Sequence, residues 1–381
     1  MSPAGATGFP LVRGEVHTGL AGLMHLREDW ARLIERGATG GFAVTHSCYE
    51  ALLRYRHPDP ARVKFFCLRG EQGEPLAICP LETAIRKIRR LPFSTWQFPP
   101  DPDRPASGFV IDPRVAPAEL LPALVPMLKK IAPGVGLLAL ERVEEGSGTW
   151  NAAGDSSYAT HASRQATLLR ISADHSADEI LARTSSMFRR NIRRASRRLS
   201  RAGEVCYSVA RTGVELERAL AAFLELEAAG WKGREGEGNA ILKRPAVARH
   251  ARGVVGLLGA RDECEIHCFW QGARCLAALV CFSGGGELFA FKIARDEEFA
   301  TFSLGHLMIH RVIDACATRE EIRRINFGWE TEWMAPWGGE TNNLWEIHVA
   351  LGAFPGRLAI GLLGGNQGTR KWIAKAGSPT S

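Results

Sequence analysis

Apolar positions along this chain follow two rhythms. Over residues 22–36, Leu26, Trp30, Leu33 and Ile34 fall at helical spacing, and 47–56 continues in the same way, so both predict helices. Residues 63–68 (Val-Lys-Phe-Phe-Cys-Leu) are strand-like. The turn 70–75 (Gly-Glu-Gln-Gly-Glu-Pro) leads into a second strand, 76–85. Residues 91–105 hold five prolines and predict a loop. A short strand at 108–111, a helix at 117–131 and a strand at 136–140 complete the first half.

Residues 151–166 are small and polar and make the best linker candidate. A strand at 167–171 follows, then a helix over 183–201. Helix 213–229 carries Leu216, Leu220, Phe223, Leu224 and Leu226, and a Gly-rich loop spans 230–238. After a helix at 244–257, strands 263–270, 275–283 and 287–294 are joined by short turns and form an antiparallel meander. A helix at 304–317, a strand at 322–327 and a Trp-rich segment to 345 follow. Both halves read as hairpin, loop, helix, strand. That order predicts a duplicated α/β unit with a mixed sheet.

Composition narrows the class. A length of 381 residues suggests two domains, and 45% hydrophobic with 23% charged residues is ordinary for a globular chain. No run of 18 apolar residues occurs, so no membrane span is expected. The first 19 residues lack an apolar signal core, and the expected location is cytoplasmic. Nine cysteines, an odd number scattered singly, fit reduced thiols rather than a disulfide framework. The spacing of Cys264, Cys268, Cys275 and Cys281 does not match a zinc ribbon. Strand alternation places Cys264 and Cys268 on one face as small hydrophobes, so no metal is expected.

The formal net charge of +7 comes from 48 basic and 41 acidic residues, but it is local. Residues 183–201 hold eight arginines and no acid, and without them 40 basic residues face 41 acidic ones. Phe188, Ile192, Ala195 and Leu199 give this segment one apolar stripe, with arginines on the other faces. Arg189, Arg193 and Arg197 are candidate contacts for an anionic partner: a cofactor phosphate, RNA or anionic lipid. The other reading is a solvated face whose arginines pair with acids elsewhere.

Two segments could carry chemistry. In 224–234 a helix ends at Gly230, a natural left-handed cap, and Trp231, Lys232 and Arg234 follow at once. Trp231 reads either as a substrate wall flanked by two anion contacts or as a side chain packed on the core; Glu227 lies one turn before the Gly. In 289–306 a strand bearing Lys292 leads through a short loop to a helix start. There Ser303 can cap the helix and Gly305 allows close backbone approach, and free N–H groups at a helix start bind phosphate. Trp329, Trp333 and Trp337, with Trp345 nearby, are either packed aromatics or a platform for an acceptor such as a sugar ring. No Walker loop, Gly-x-Gly-x-x-Gly fingerprint or Ser-His-Asp order is present.

Taken together, Ala229-Gly230-Trp231-Lys232-Gly233, Lys292, Asp296-Glu297, Ser303-Leu304-Gly305 and the Phe188–Arg194 stretch (Phe-Arg-Arg-Asn-Ile-Arg-Arg) resemble the CelD/BcsL-type acetyltransferases. These form a branch of the GNAT superfamily linked to cellulose biosynthesis and related to the Fem-type peptidyltransferases. The resemblance covers about residues 20–350. Leu304 stands where that family usually has Pro, and Asn326 where an Asp is common.

The resemblance implies an α/β (α+β) fold of two fused GNAT-like halves, with mixed, largely antiparallel sheets flanked by helices. The expected division is 1–160, 161–355 and a tail over 356–381. It implies acetyl-CoA or another acyl-CoA as donor, its pyrophosphate on the turn of Thr301, Ser303, Leu304, Gly305 and His306, and its carbonyl against strand 287–294. Asp296, Glu330 and Lys292 are the implied catalytic candidates, with Glu227 and Glu332 as further bases and His306 or His310 ranked after them. Trp231, Lys232, Arg234 and Glu227 would face the acceptor, an amine or a saccharide hydroxyl. Rival readings are transfer from aminoacyl-tRNA, as in Fem-type enzymes, and a non-catalytic RNA- or membrane-binding module.

Overall fold

Thirteen strands and eleven helices organise the described residues, which are 11–38, 40–230, 239–352 and 354–364 of this computed structural model. They fall in two units, one within Met1–Thr167 and Asn342–Ser381, the other Leu168–Thr341.

The first unit opens with β1 (Arg13–Thr18), α1 (Gly19–His25), α2 (Arg27–Glu35) and α3 (His46–Tyr55). Next come β2 (Lys64–Arg69), β3 (Pro75–Ile88), β4 (Leu91–Gln97), β5 (Val110–Ile111), α4 (Pro117–Ile131), β6 (Leu137–Glu144), α5 (Gly148–Gly154) and the start of β7 (Thr160–Ser172). Strands β1 to β4 form an antiparallel meander, with β5 on the side of β3. Helix α4 then crosses over, so that β6 runs parallel to β4 through Thr95–Gln97. Leu120, Leu121, Leu124, Val125 and Leu128 bury one face of α4 against Phe66, Trp96 and Leu138.

The second unit contains the end of β7, then α6 (Ala177–Ala182), α7 (Ser186–Arg201), β8 (Cys206–Ala210), α8 (Gly213–Ala229) and α9 (Pro245–Gly259). It continues through β9 (Cys264–Gln271), β10 (Arg274–Gly284), β11 (Glu287–Arg295), α10 (Leu304–Cys316) and β12 (Arg324–Trp329). Strands β8 to β11 are again an antiparallel meander. Helix α10 crosses over to β12, parallel to β11, and the end of β7 closes that side antiparallel to β12. The chain returns to the first unit with β13 (Glu340–Ala350), antiparallel to β6, and α11 (Gly356–Leu363). The two units therefore share one order: meander, crossover helix, parallel strand, antiparallel closing strand.

Three expectations are corrected. Residues 91–105 are not all loop, because Leu91–Gln97 is strand β4. Only Pro92 lies in it, at its second position, where a missing N–H costs little, and fully buried Trp96 anchors it. The segment 151–166 is the end of α5 and half of β7 rather than a linker. That half of β7 is partly exposed, so its residues are small and polar without being unstructured. Residues 22–36 form two helices that meet at Leu26. Strands β1, β8 and β13 and helices α5, α6 and α11 have no counterpart in the sequence-based elements.

The cysteines are free and mostly buried, Cys264 and Cys268 among them. Among the described residues, no group of three or more His, Cys, Asp or Glu could hold a metal ion, and no helix is long and apolar enough to cross a membrane.

Candidate functional site

The second unit's site begins at a fork in its sheet. Strands β11 and β12 pair only through Glu287–Phe289 and Arg324–Asn326. Beyond Phe289 no pairing of β11 to β12 follows among the described residues. A buried polar cluster pins the base of the fork. Glu287, fully buried, accepts from Arg170 Nε at 3.2 Å, Arg324 Nε at 3.0 Å and Asn326 Nδ2 at 3.2 Å. Asn326 Oδ1 in turn accepts the Gly328 N–H at 2.8 Å. At this position an amide donates and accepts at once, so Asn326 acts as a joint in the scaffold.

Above the fork lies a cavity of about 630 Å³. Its walls come from the end of α8 (Leu226, Glu227, Gly230), the end of β11 (Ile293, Ala294, Arg295), the turn before α10 (Glu297, Ala300, Ser303), the first turn of α10 (Gly305, His306) and Trp333. Residues distant in sequence meet here because the parallel crossover sends α10 back over the splayed strands.

Ser303 shapes the helix start. It occupies the N-cap position of α10 in the left-handed region (φ 53°, ψ 39°), and its side chain makes no capping bond. The sequence suggested a capping serine, but a serine caps from an extended backbone, which aims its oxygen at the helix N–H groups. The first N–H groups of α10 therefore keep no side-chain acceptor. A non-glycine residue in this region is strained by about 1–2 kcal/mol. At Gly305 an added Cβ would sit 3.7 Å from Trp333 and 3.9 Å from Ile293, ordinary contact distances, so only a longer side chain would intrude on the cavity.

His306 is set by its neighbours. The Trp337 indole N–H, which can only donate, lies 3.1 Å from Nδ1. Nδ1 is therefore an acceptor and the proton of the neutral ring sits on Nε2. Burial, aided by the positive charge of Arg295, lowers the imidazole pKa and favours that neutral ring. His306 is a hydrogen-bond donor in this arrangement, not a base.

Of the other residues named from sequence, Glu227 lines the cavity, and its Oε2 accepts the Ile241 N–H at 2.8 Å. Asp296 caps the 3-10 turn Glu297–Phe302 through the Glu298 N–H at 3.0 Å and pairs with Arg274, whose Nε lies 2.8 Å away. Leu304 is buried with no exposure, so only its backbone could meet a ligand at the cavity. Thr301 is exposed and outside the cavity wall. Lys292 lies over the Phe291 ring at 4.7 Å, also outside that wall. Glu330 and Glu332 are exposed after β12. Trp231, Lys232 and Arg234 lie outside the described residues. Gly230 is extended (φ −73°) rather than left-handed, so its backbone does not require glycine.

The tryptophans divide: Trp337 and Trp345 are buried, and Trp333 forms cavity wall. Sequence reasoning left out Ile293, Ala294, Arg295 and Ala300 as cavity wall. Their proximity to Lys292 and Ser303 was the available signal.

The arginines of α7 also divide. Arg189 is not a free anion contact, because its Nη1 donates to the carbonyls of Leu181, Ala182 and Thr184 and so ties down the end of α6. Arg193 and Arg197 are exposed.

Comparison with known proteins agrees with this geometry. Residues 186–337 match the family model described as an acetyltransferase (GNAT) domain. Among solved structures, FemX superposes with a TM-score of 0.58 at 15% identity, covering 84% of this chain and 95% of FemX. A conserved protein of unknown function from Bacteroides thetaiotaomicron VPI-5482 gives 0.54 at 10% identity, covering 86% of this chain and 97% of that one. No curated protein matches in sequence. The fold is GNAT-like α/β, with a mixed sheet flanked by helices, and the stretch similar to the GNAT domain lies within the second unit.

Proposed function

We propose that this acyltransferase moves an acyl group, acetyl in the first instance, from its CoA thioester to an amine or hydroxyl acceptor. The observation that carries the reading is the cavity at the fork. A helix start without a side-chain cap faces it, which suits a pyrophosphate. Beside it β11 runs on past its pairing with β12, an arrangement that suits a thioester carbonyl, whose developing negative charge a backbone N–H can stabilise. A volume of about 630 Å³ lies in the range of small-ligand sites.

In this reading an amine attacks the thioester carbonyl, the C–N bond forms and the C–S bond breaks. CoA leaves as its thiol after taking a proton. A base must accept the proton that the amine gives up. Asp296 and Glu227 have their carboxylates engaged. Glu330 and Glu332 are both exposed after β12, without a hydrogen-bond or ion-pair partner among the described residues and off the cavity wall, and we take Glu330 as the base on the strength of the family resemblance. A saccharide or polysaccharide-precursor acceptor follows from the CelD/BcsL resemblance and from Trp333, whose ring is a natural surface for a sugar.

Transfer from aminoacyl-tRNA is the reading that a Fem-type relationship would favour, but likeness to FemX supports the fold alone. Isothermal titration of the full chain with acetyl-CoA and longer acyl-CoAs separates the two. Wild type is expected to bind at micromolar affinity and Gly305→Leu, which fills the cavity, at least ten-fold more weakly. Absence of binding to every acyl-CoA would sink the proposal.

A further inference from the structure

The second unit has another cavity, of about 410 Å³, which shares no lining residue with the first. It lies between α6, the Arg-rich helix α7, strands β8 and β9, and the middle of α10. Arg193 and Arg197 line it from α7 and Arg311 from α10, over an apolar floor that includes Ile192, Phe269 and Leu307.

The charges are unbalanced. Residues four apart on a helix lie side by side, so Arg193 and Arg197 repel one another by a few tenths of a kcal/mol. Among the described residues, neither has a hydrogen-bond or ion-pair partner, and the same holds for Arg190, Arg194, Arg198 and Arg201. Asp178 is the one carboxylate on the cavity wall, and it is engaged with His310 Nε2 at 3.5 Å. His310 Nδ1 is held in turn by Asp314 at 3.2 Å. Among the described residues, Asp178 is thus the one carboxylate on a wall that carries three arginines, and it pairs with neither Arg193 nor Arg197.

One wall is rigid. The Tyr207 hydroxyl lies 2.6 Å from Nδ1 of fully buried His267, whose Nε2 lies 2.9 Å from Glu265 Oε1. Burial alone would raise the Glu265 pKa, but the His267 hydrogen bond and the charges of Arg319 and Arg211 bring it down to about 2. An ionised carboxylate only accepts, so Nε2 donates to Glu265, and Nδ1 on the other side of the ring pairs with the Tyr207 hydroxyl. The Tyr207 ring is thereby fixed beside Arg311, whose guanidinium carbon lies 6.0 Å from the ring centroid.

From this we infer that the cavity is a second binding site, for an organic anion: a phosphate or carboxylate head between Arg193, Arg197 and Arg311, and a short apolar body on Ile192, Phe269 and Leu307. Guanidinium groups suit such a head because they bind it with two parallel hydrogen bonds. The inference does not rest on the acyl-CoA reading, since the two cavities have separate walls.

Octyl phosphate is a suitable probe, titrated calorimetrically into the full chain beside octan-1-ol and inorganic phosphate. Wild type is expected to bind octyl phosphate at least ten-fold more tightly than either control. Arg193→Gln/Arg197→Gln should lose at least ten-fold in affinity. Arg190→Gln/Arg194→Gln, which removes the same charge from the same helix, should change it less than three-fold. Gly305→Leu, in the first cavity, should bind the probe as wild type does. Equal losses in the two arginine pairs would reduce the effect to diffuse charge and overturn the site. So would loss in Gly305→Leu, or a probe no tighter than octan-1-ol. Binding only to phosphatidylglycerol vesicles, with none to free octyl phosphate, would replace the cavity with a membrane surface and overturn it too.

Discussion

The pH dependence of the first unit's stability should turn on one imidazole. His348, in β13, is 4% exposed, and its Nδ1 has no hydrogen-bond partner. Burial pushes its pKa down to about 3, and the positive charge of Arg86 and the neighbouring His161 ring add to the effect. Glu346 Oε1 approaches Nε2 at 3.5 Å, but the same oxygen accepts from Arg86 at 2.9 Å, so it offers His348 little compensation. An unfolded histidine titrates near 6.5. Below that pH the unfolded chain binds a proton that the folded chain refuses, so acid favours unfolding. The contribution is present in full above about 6.5 and is lost as pH falls toward the folded value. At about 1.4 kcal/mol per pH unit, roughly 2 kcal/mol is gone by about pH 5, for any folded pKa below about 4. The perturbation is His348→Leu, which removes the titrating group and its orphaned nitrogen. Urea unfolding of both full-length proteins, followed by tryptophan fluorescence between about pH 7.5 and about pH 5, measures the difference. The His161 pKa is also lowered by burial, but that group is common to both proteins. Wild type should lose roughly 2 kcal/mol more than the variant over this range. Parallel pH profiles would refute the reasoning, because they would mean that His348 accepts its proton in the folded state.

Two further substitutions test the scaffold around the sites. Asn326→Leu leaves the Gly328 N–H without its acceptor and takes one of Glu287's donors, and should cost about 1–3 kcal/mol by chemical denaturation. Arg189→Gln removes the donor that serves three carbonyls at the end of α6 and should cost about 1–2 kcal/mol. Arg190→Gln, one residue on and exposed, should stay within about 0.5 kcal/mol of wild type in the same chemical denaturation.

The repeated order of elements was legible because both meanders have short turns and strongly apolar strands, and because α4 and α8 carry regular apolar stripes. What escaped depended on positions that no local pattern records. Ser303 reads as a capping residue in sequence, and only its left-handed backbone shows that the cap is not made. Lys292 was named through the family resemblance, but the register of β11 shifts opposite Val280 and Cys281, which makes Phe291 the extra residue of a bulge. Counting alternate residues from Phe289 therefore gives the wrong face, and Ile293 packs with Ala290 against the same core. The arginines show a related limit. Residues 189, 193 and 197 look like one stripe, but each step of four advances about 40° around a helix, so the first and last differ by about 80°. That rotation, and the carbonyls at the end of α6, separate Arg189 from the pair that lines the second cavity. The local basic charge was visible in the sequence, and its division into a structural arginine and a binding pair was not. The reason is that the division is made by α6 and α10, whose positions the sequence of α7 does not encode.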